Sequence, residues 1–334
     1  MKIDPSEILT MLRESSGYVS GQEICDKYKV SRTAVWKYIS QLRDEGYSIE
    51  AVQNKGYRLA DGDVPDVLNE AEITSRLTTK WVARTIQYLP ETGSTNNDAA
   101  GMADAGGPSG LLATAGAQNA GKGRRGRVWK SPSGTTVAMS IALKPDFAPE
   151  YASMLTLVSA HSTLAAIEDM TGVHVGIKWP NDLVINGRKI CGILTEMSAQ
   201  IDFIQHVVIG IGVNVNQESR IDFPEDIRET ATSLRIETGR SWNRAEVIAR
   251  TMNHFEEDYA SFAEKLDMGP LLDDYNAHLV NLGQRVRVLD PKGEYNGTAH
   301  GINKKGELIV EREDGSTVNV YAGEVSVRGI YGYV

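Results

Sequence analysis

The chain has 334 residues, 41% hydrophobic and 24% charged, with a formal net charge of −9. At roughly 100–200 residues per domain this predicts two or three domains, and the composition excludes disorder and fibrous architecture. Its longest apolar stretches, Leu111 to Ala117 and Val207 to Val213, are far too short to span a bilayer, and two cysteines cannot build a disulfide framework.

The first elements in chain order read as a small helical head. PSEILTMLRE places Ile8, Leu9 and Leu12 on one helical face. Ser20, with Glu23 three residues on, starts a short helix that ends at Tyr28. Ser31 caps a third helix, SRTAVWKYISQLRDEGY, with Val35, Ile39 and Leu42 at helical spacing and Gly46 as its stop. YSIEAVQNKGYRLA then alternates as a strand, turns at Asn54–Lys55–Gly56 and returns. This is the order of a winged helix-turn-helix, whose third helix enters the major groove of DNA. Ser31, Arg32, Thr33 and Lys37 on that helix, with Lys55 and Arg58 on the hairpin, are the candidate DNA contacts. The bland alternative is a helical module for protein contacts. Residues 1–60 carry 9 Lys+Arg against 8 Asp+Glu, whereas the remainder carries 26 against 36. With so few cations one head should bind DNA weakly, so a dimer is expected.

An acidic, proline-containing stretch, DGDVPDVLN (61–69), reads as a linker. Strand-like and helix-like segments then alternate from about 70 to 275, predicting a mixed-sheet α/β domain. Short strands separated by Gly and Asp-Gly turns follow from about 280 and predict a small β-barrel. The expected organisation is α+β multidomain, with boundaries at 1–64, 65–278 and 279–334. The N-terminus carries acids where an export signal needs an apolar core, so a cytoplasmic location is expected. The six histidines are scattered, with no HExxH pair, so no protein metal site is expected.

The most chemical segment is GKGRRGRVW (121–129). Three glycines and four cations in its first seven residues predict a loop that brings backbone amides and positive charge to phosphate or carboxylate oxygens. Two common phosphate motifs fail here. Gly116 to Lys122 fits GxxxxGK, but Gly123 stands where a P-loop needs Ser or Thr. Gly121, Gly123 and Gly126 fit GxGxxG, yet a turn and strand follow instead of a helix.

Together with ETGSTN (91–96), KWPNDLVINGRKICGIL (178–194), IGIGVNVN (209–216) and GEVSVR (323–328), this loop resembles the biotin–protein ligase family, in the bifunctional form that is also the biotin operon repressor. The motifs stand in family order and the resemblance covers essentially the whole chain. Lys122 departs from it, since many members have Arg there, and a bidentate fork is lost. The resemblance implies a winged helix-turn-helix, a mixed-sheet ligase domain and an SH3-like β-barrel. It implies that biotin is activated by ATP to biotinyl-5′-AMP, with Mg2+ carried on the ATP, and then passed to a lysine of an acceptor. The implied partners are the biotin carboxyl carrier protein of acetyl-CoA carboxylase and other biotin-dependent carboxylases, operator DNA of biotin genes, and a second copy of the chain when the adenylate is bound.

Lys189 and Arg124 are the implied catalytic residues, Lys189 touching the biotin carboxylate and α-phosphate. Ser94, Thr95, Asn96, Gln118, Lys122, Gly123 and Gly192 join these two as implied biotin contacts. Biotin's uncharged ureido ring suits such neutral groups, although Ser94–Thr95–Asn96 would serve equally as a helix N-cap. Arg125, Arg127, Trp129, Asn181, Asp182, Asn214 and Arg328 are implied adenylate contacts; Trp129 reads equally as a core tryptophan. Three alternatives remain open: a lipoate-type ligase on the same fold, a sensor with an inactive body, and a ligase whose head no longer binds DNA.

Overall fold

Residues 5–60, 66–200, 203–290, 293–321 and 326–329 are described by a computed structural model. They fall into two units: Met1–Thr78 with Asn243–Ala249, and Thr79–Trp242 with Arg250–Val334.

In the first unit, α1 (Pro5–Glu14), α2 (Gly21–Tyr28) and α3 (Arg32–Asp44) are followed by the hairpin β1 (Ile49–Val52) and β2 (Gly56–Leu59), and by the short α4 (Glu70–Thr74). Capping sets the helix starts. The Ser20 hydroxyl accepts the Glu23 N–H and the Ser31 hydroxyl accepts the Ala34 N–H. Ile8, Leu9 and Leu12 of α1 pack with Ile24, Val35, Ile39 and Leu42 in one core. Asn54 and Gly56, both at positive φ, turn the hairpin, and a Cβ at Gly56 would lie 2.0 Å from the Val19 carbonyl oxygen. Inside this unit Glu72 is fully buried, bound through both oxygens by Arg13 at 2.6 and 2.7 Å, by Arg76 at 2.7 Å, and by the Tyr47 hydroxyl. Burial opposes its charge, but the Arg13 and Arg76 guanidiniums and the Tyr47 hydroxyl prevail and hold the carboxyl below the ordinary range. Of the expected linker, 61–65 lie outside the described residues.

In the second unit β3 (Ile86–Thr92), α5 (Thr95–Asp104) and β4 (Leu111–Lys122) make a βαβ step with parallel strands. β5 (Val128–Ser131) pairs back on β4. Then come β6 (Thr136–Leu143), α6 (Met154–Thr171), β7 (Gly176–Lys178), β8 (Asp182–Ile185), β9 (Arg188–Ala199) and β10 (Ile204–Asn214). The sheet order is β3-β4-β6-β10-β9-β8-β7, antiparallel beyond the first pair, as the expected mixed sheet requires. α6 is apolar on most sides, so it is buried, and Ser159, Ser162 and Thr163 satisfy their hydroxyls on carbonyls four residues back. α7 (Leu234–Thr238), α8 (Arg244–Lys265) and α9 (Leu272–Ala277) follow, and no described helix is long and apolar enough to cross a membrane.

β11 (Arg285–Leu289), β12 (Tyr295–Ile302), β13 (Leu308–Arg312), β14 (Thr317–Val320) and β15 (Ser326–Gly329) form an antiparallel sheet in the order β14-β13-β12-β11-β15. Among the described residues this small sheet is open, with β14 and β15 as its edges.

The segment expected to be a loop, 121–129, is instead mostly hairpin. β4 runs on to Lys122, a 3₁₀ turn covers Arg124–Gly126, and Gly121 and Lys122 pair with Trp129 and Val128. Missing side chains are what permit it: a Cβ at Gly121 would meet Gln118 Nε2 at 2.1 Å and the Trp129 carbonyl oxygen at 2.3 Å.

Candidate functional site

A cleft opens on the large sheet, where the start of α5, the β4–β5 hairpin and the middles of β9 and β10 meet. All nine residues expected to contact biotin line it: Ser94, Thr95, Asn96, Gln118, Lys122, Gly123, Arg124, Lys189 and Gly192. Trp129 and Asn181 line it too.

One wall is neutral and hydrogen-bonding. Ser94 stands at the N-cap of α5, but its hydroxyl makes no capping bond, so that side chain does not serve the helix start. Gln118 Oε1 accepts from the Thr95 N–H at 2.9 Å and from its hydroxyl at 3.2 Å. Thr95 Oγ1 and Ser140 Oγ are 2.8 Å apart, and Ser140 donates to Asn96 Oδ1 at 2.6 Å. Asn96 Nδ2 in turn donates to Glu196 Oε2 at 2.6 Å. The chain of bonds fixes which end of each amide faces which neighbour.

The other wall is cationic. Lys122 Nζ reaches the same Glu196 at 3.0 Å, and Arg124 donates to Asn181 Oδ1 at 3.1 Å. Lys189 Nζ donates to Asp182 Oδ1 at 2.6 Å and stands 5.4 Å from the centre of the Trp129 ring. Its backbone is clamped on both sides, with N bonded to the Thr230 carbonyl and O to the Thr232 amide. Trp129 lies against two glycines: a Cβ at Gly212 would be 2.6 Å from its indole and one at Gly192 3.1 Å. Its buried Nε1 has no hydrogen-bond partner among the described residues, an unused donor in the cleft wall. The neighbouring Cys191 is fully buried, and burial pushes its thiol far up, so it offers no thiolate nucleophile.

Asp182 is not among the cleft-lining residues but is bonded to one of them, Lys189, and Arg127 is exposed on the hairpin. Asn214 is buried at the end of β10, where its amide donates to the Thr232 carbonyl at 3.0 Å, and it is not among the cleft-lining residues. The side chains of Arg125 and Arg328 lie outside the described residues, as do 323–325 of the closing motif. Sequence reasoning missed Ser140, Glu196, Gly210 and Gly212. Ser140 is a lone polar residue in the middle of buried β6, Glu196 lies in the more polar second half of β9, and only strand register reveals what they face.

In the first unit Ser31, Arg32, Thr33 and Lys37 are exposed on α3, and Arg32 donates to Gln22 Oε1 at 2.9 Å. Trp36, overlooked in the sequence, is 61% exposed on the same helix. Lys55 lies at the exposed hairpin turn. Arg58 is paired with Glu50 at 3.1 Å and packs over the Tyr18 ring.

Residues 89–214 match the biotin/lipoate A/B protein ligase family, residues 6–58 an HTH domain, and residues 282–328 the biotin protein ligase C terminal domain. The chain is 39% identical over 312 residues to the bifunctional ligase/repressor BirA of Bacillus spizizenii, covering 93% of this chain and 94% of that protein. A biotin–[acetyl-CoA-carboxylase] ligase of Mycobacterium tuberculosis is 32% identical over 72% of this chain and 88% of its own length. Among solved structures, the biotin protein ligase of Aquifex aeolicus in complex with biotin and ATP superposes with a TM-score of 0.65 at 30% identity, covering 74% of this chain and 99% of that one.

Proposed function

The chain belongs to the biotin–protein ligase family, in its bifunctional ligase/repressor branch, and on that premise we propose that it makes biotinyl-5′-AMP from biotin and ATP, transfers the biotinyl group to a carrier-protein lysine, and represses biotin genes through its helix-turn-helix head. One observation carries the reading: a neutral hydrogen-bonding wall and a cationic wall converge on one cleft, as a substrate with an uncharged ureido head and an anionic tail demands.

In the first step a biotin carboxylate oxygen attacks the α-phosphorus of ATP, and the bond to pyrophosphate breaks. Two anions must be brought together, so the task is positioning and charge neutralisation. Lys189 and Arg124 are assigned to that task. Ser94, Thr95, Asn96 and Gln118 take the ureido ring, with Lys122, Gly123 and Gly192 completing the biotin contacts. Trp129 walls the apolar part and, with Arg125, Arg127, Asn181, Asp182, Asn214 and Arg328, receives the adenylate. Magnesium arrives as part of the ATP substrate; the carboxylates beside the cleft, Asp182 and Glu196, are each paired with a lysine and make a poor cage for it. In the second step the acceptor's amine attacks the mixed anhydride and AMP leaves. By analogy with the mycobacterial relative, the acceptor is the carboxyl carrier protein of acetyl-CoA carboxylase.

Residues 1–64 act on operator DNA, 65–278 catalyse, and 279–334 form an SH3-like barrel. The hairpin tip orders over the adenylate and shields it from water. That ordering completes a homodimer surface, so ligand occupancy governs DNA binding in the cytoplasm. Operator affinity unchanged by biotin plus ATP would refute this coupling. The test of the ligase reading is biotin-dependent exchange of labelled pyrophosphate into ATP, with lipoate as control. Exchange with biotin alone is expected; exchange with lipoate would mean a lipoate-type pocket, and none with either acid would leave a ligand sensor.

A further inference from the structure

The histidines are scattered in sequence, but the fold gathers two of them. The rings of His174 and His278 stack with centroids 5.1 Å apart and 29° between their planes. Both face one carboxylate: His174 Nδ1 lies 3.0 Å from Glu168 Oε1, and His278 Nε2 lies 3.4 Å from Glu168 Oε2. The ligand atoms of all three residues lie within 4.8 Å of one another. Glu168 comes from the last turn of α6, His174 from just before β7, and His278 from the end of α9.

The surroundings orient these groups. Glu168 Oε1 accepts the Val175 N–H at 2.7 Å. His278 Nδ1 lies 2.9 Å from the Asp274 carbonyl oxygen, an acceptor only, so Nδ1 carries a proton. His278 Nε2 and His174 Nδ1 thus face the two oxygens of one carboxylate, and three donor groups surround one space. More negative charge stands near: the Asp274 carboxylate lies 3.7 Å from His278 Nδ1 and also meets His161 Nε2 at 2.8 Å.

We propose that Glu168, His174 and His278 bind a divalent transition-metal ion of the zinc or nickel class, at a site separate from the biotin and ATP cleft. Two imidazoles with one carboxylate are the donor set such ions favour over magnesium. The 3.0 and 3.4 Å separations run one to each carboxylate oxygen, each close to the roughly 3.3 Å between two ligand atoms bound at about 2.0 Å. The carbonyl behind His278 is the outer partner that fixes a ligating tautomer. His174 is 72% exposed, leaving one side of the ion to water.

The ion would close a particular seam. Among the described residues β7 meets the segment after α9 by two backbone bonds, Ile177 N–H to the His278 carbonyl at 2.7 Å and Val280 N–H to the Ile177 carbonyl at 3.0 Å, with the Trp179 N–H donating to Asn281 Oδ1 just beyond. That segment leads into the small sheet, and β7 leads into Trp179, Asn181 and Asp182. A metal here would pin the two together at the base of the seam.

The test is equilibrium dialysis of the chelator-stripped full-length protein against zinc chloride with magnesium in excess, paired with thermal unfolding. One zinc per chain and a higher Tm are expected. His278→Ala and His174→Ala should each weaken zinc uptake at least tenfold and abolish the Tm shift, with unchanged far-UV circular dichroism. Should His278→Ala fail to fold, the exposed His174→Ala and the near-isosteric Glu168→Gln decide. No zinc uptake, or uptake equal in the wild type and these variants, overturns the proposal.

Discussion

Substituting Gly210 by alanine tests the neutral wall through a single methyl group. Gly210 sits in mid-β10, opposite Ser140 of β6 and Leu194 of β9. A Cβ there would lie 2.0 Å from Asn96 Oδ1, 2.9 Å from its Cγ and 3.1 Å from its Nδ2, where real contacts do not fall below 3.0 Å. The amide must retreat, because the glycine lies on a strand paired on both sides and cannot. That retreat breaks the 2.6 Å bond from Ser140 and the 2.6 Å bond to Glu196. One neutral and one charge-assisted bond together are worth about 2–4 kcal/mol. If Asn96 holds the ureido ring, part of that loss appears in binding, and the KM for biotin in pyrophosphate exchange should rise about 10–100-fold with kcat little changed. Gly101→Ala, on α5 with nothing within 4 Å of the added Cβ, is the control and should leave KM unchanged. A Gly210→Ala enzyme with wild-type KM for biotin would refute the assignment of Asn96.

Three further outcomes follow from the same geometry. Lys189→Ala should lower exchange by about 10²–10³-fold, the usual loss for one preorganised charge donor, while DNA binding measured without biotin and ATP stays unchanged. Arg32→Ala should weaken operator binding by about 1–3 kcal/mol if the guanidinium reads a base, with exchange unaffected; a ligase defect would overturn the division of labour between the units. Glu72→Gln should destabilise the first unit by about 3–5 kcal/mol in denaturant unfolding, since Arg13 and Arg76 lose their buried counter-charge. Because the Glu72 carboxyl is held below its ordinary value, its contribution is present above the unfolded carboxyl pKa and is lost as pH falls through the lower folded value. The wild type should therefore lose more first-unit stability on acidification than Glu72→Gln does.

What could be read in the sequence was local. Ser20 and Ser31 announce helix starts because a capping hydroxyl acts three residues away. Ile8, Leu9, Leu12, Val35, Ile39 and Leu42 announce one core because helical spacing puts them on inward faces. The nine expected biotin contacts meet in one cleft, but their motifs stand far apart, and only family resemblance joined them beforehand. What escaped depends on strand register. Ser140 and Glu196 sit on strands far from Asn96 in sequence, and nothing within four residues says that each meets it. The hairpin at 121–129 escaped for a related reason. Its glycines read as looseness, whereas Gly121 is there because Gln118 and the Trp129 carbonyl fill the space of a side chain. His174 and His278 were invisible as a pair because the segment before β7 and the end of α9, distant in the chain, are brought together only by the fold.

The cleft also shows how a site for two anions can be built without exposing bare cations. Lys189 is paired with Asp182, and Lys122 with Glu196. A lysine ammonium has three donors, and the carboxylate takes one, so the pairing fixes where the others point. The same Glu196 also holds Asn96, which makes one carboxylate the hinge between the neutral and cationic walls. On the proposed assignment, a substrate's charged tail and uncharged head would be met by groups whose relative position is set before either arrives. Such preorganisation lowers the cost of aligning carboxylate and phosphate, which outweighs raw positive charge in a step limited by bringing like charges together. It also explains how an acidic chain of net charge −9 can present a site suited to anions: the potential that matters is made locally, by Lys122, Arg124 and Lys189 of the cleft and not by the protein as a whole.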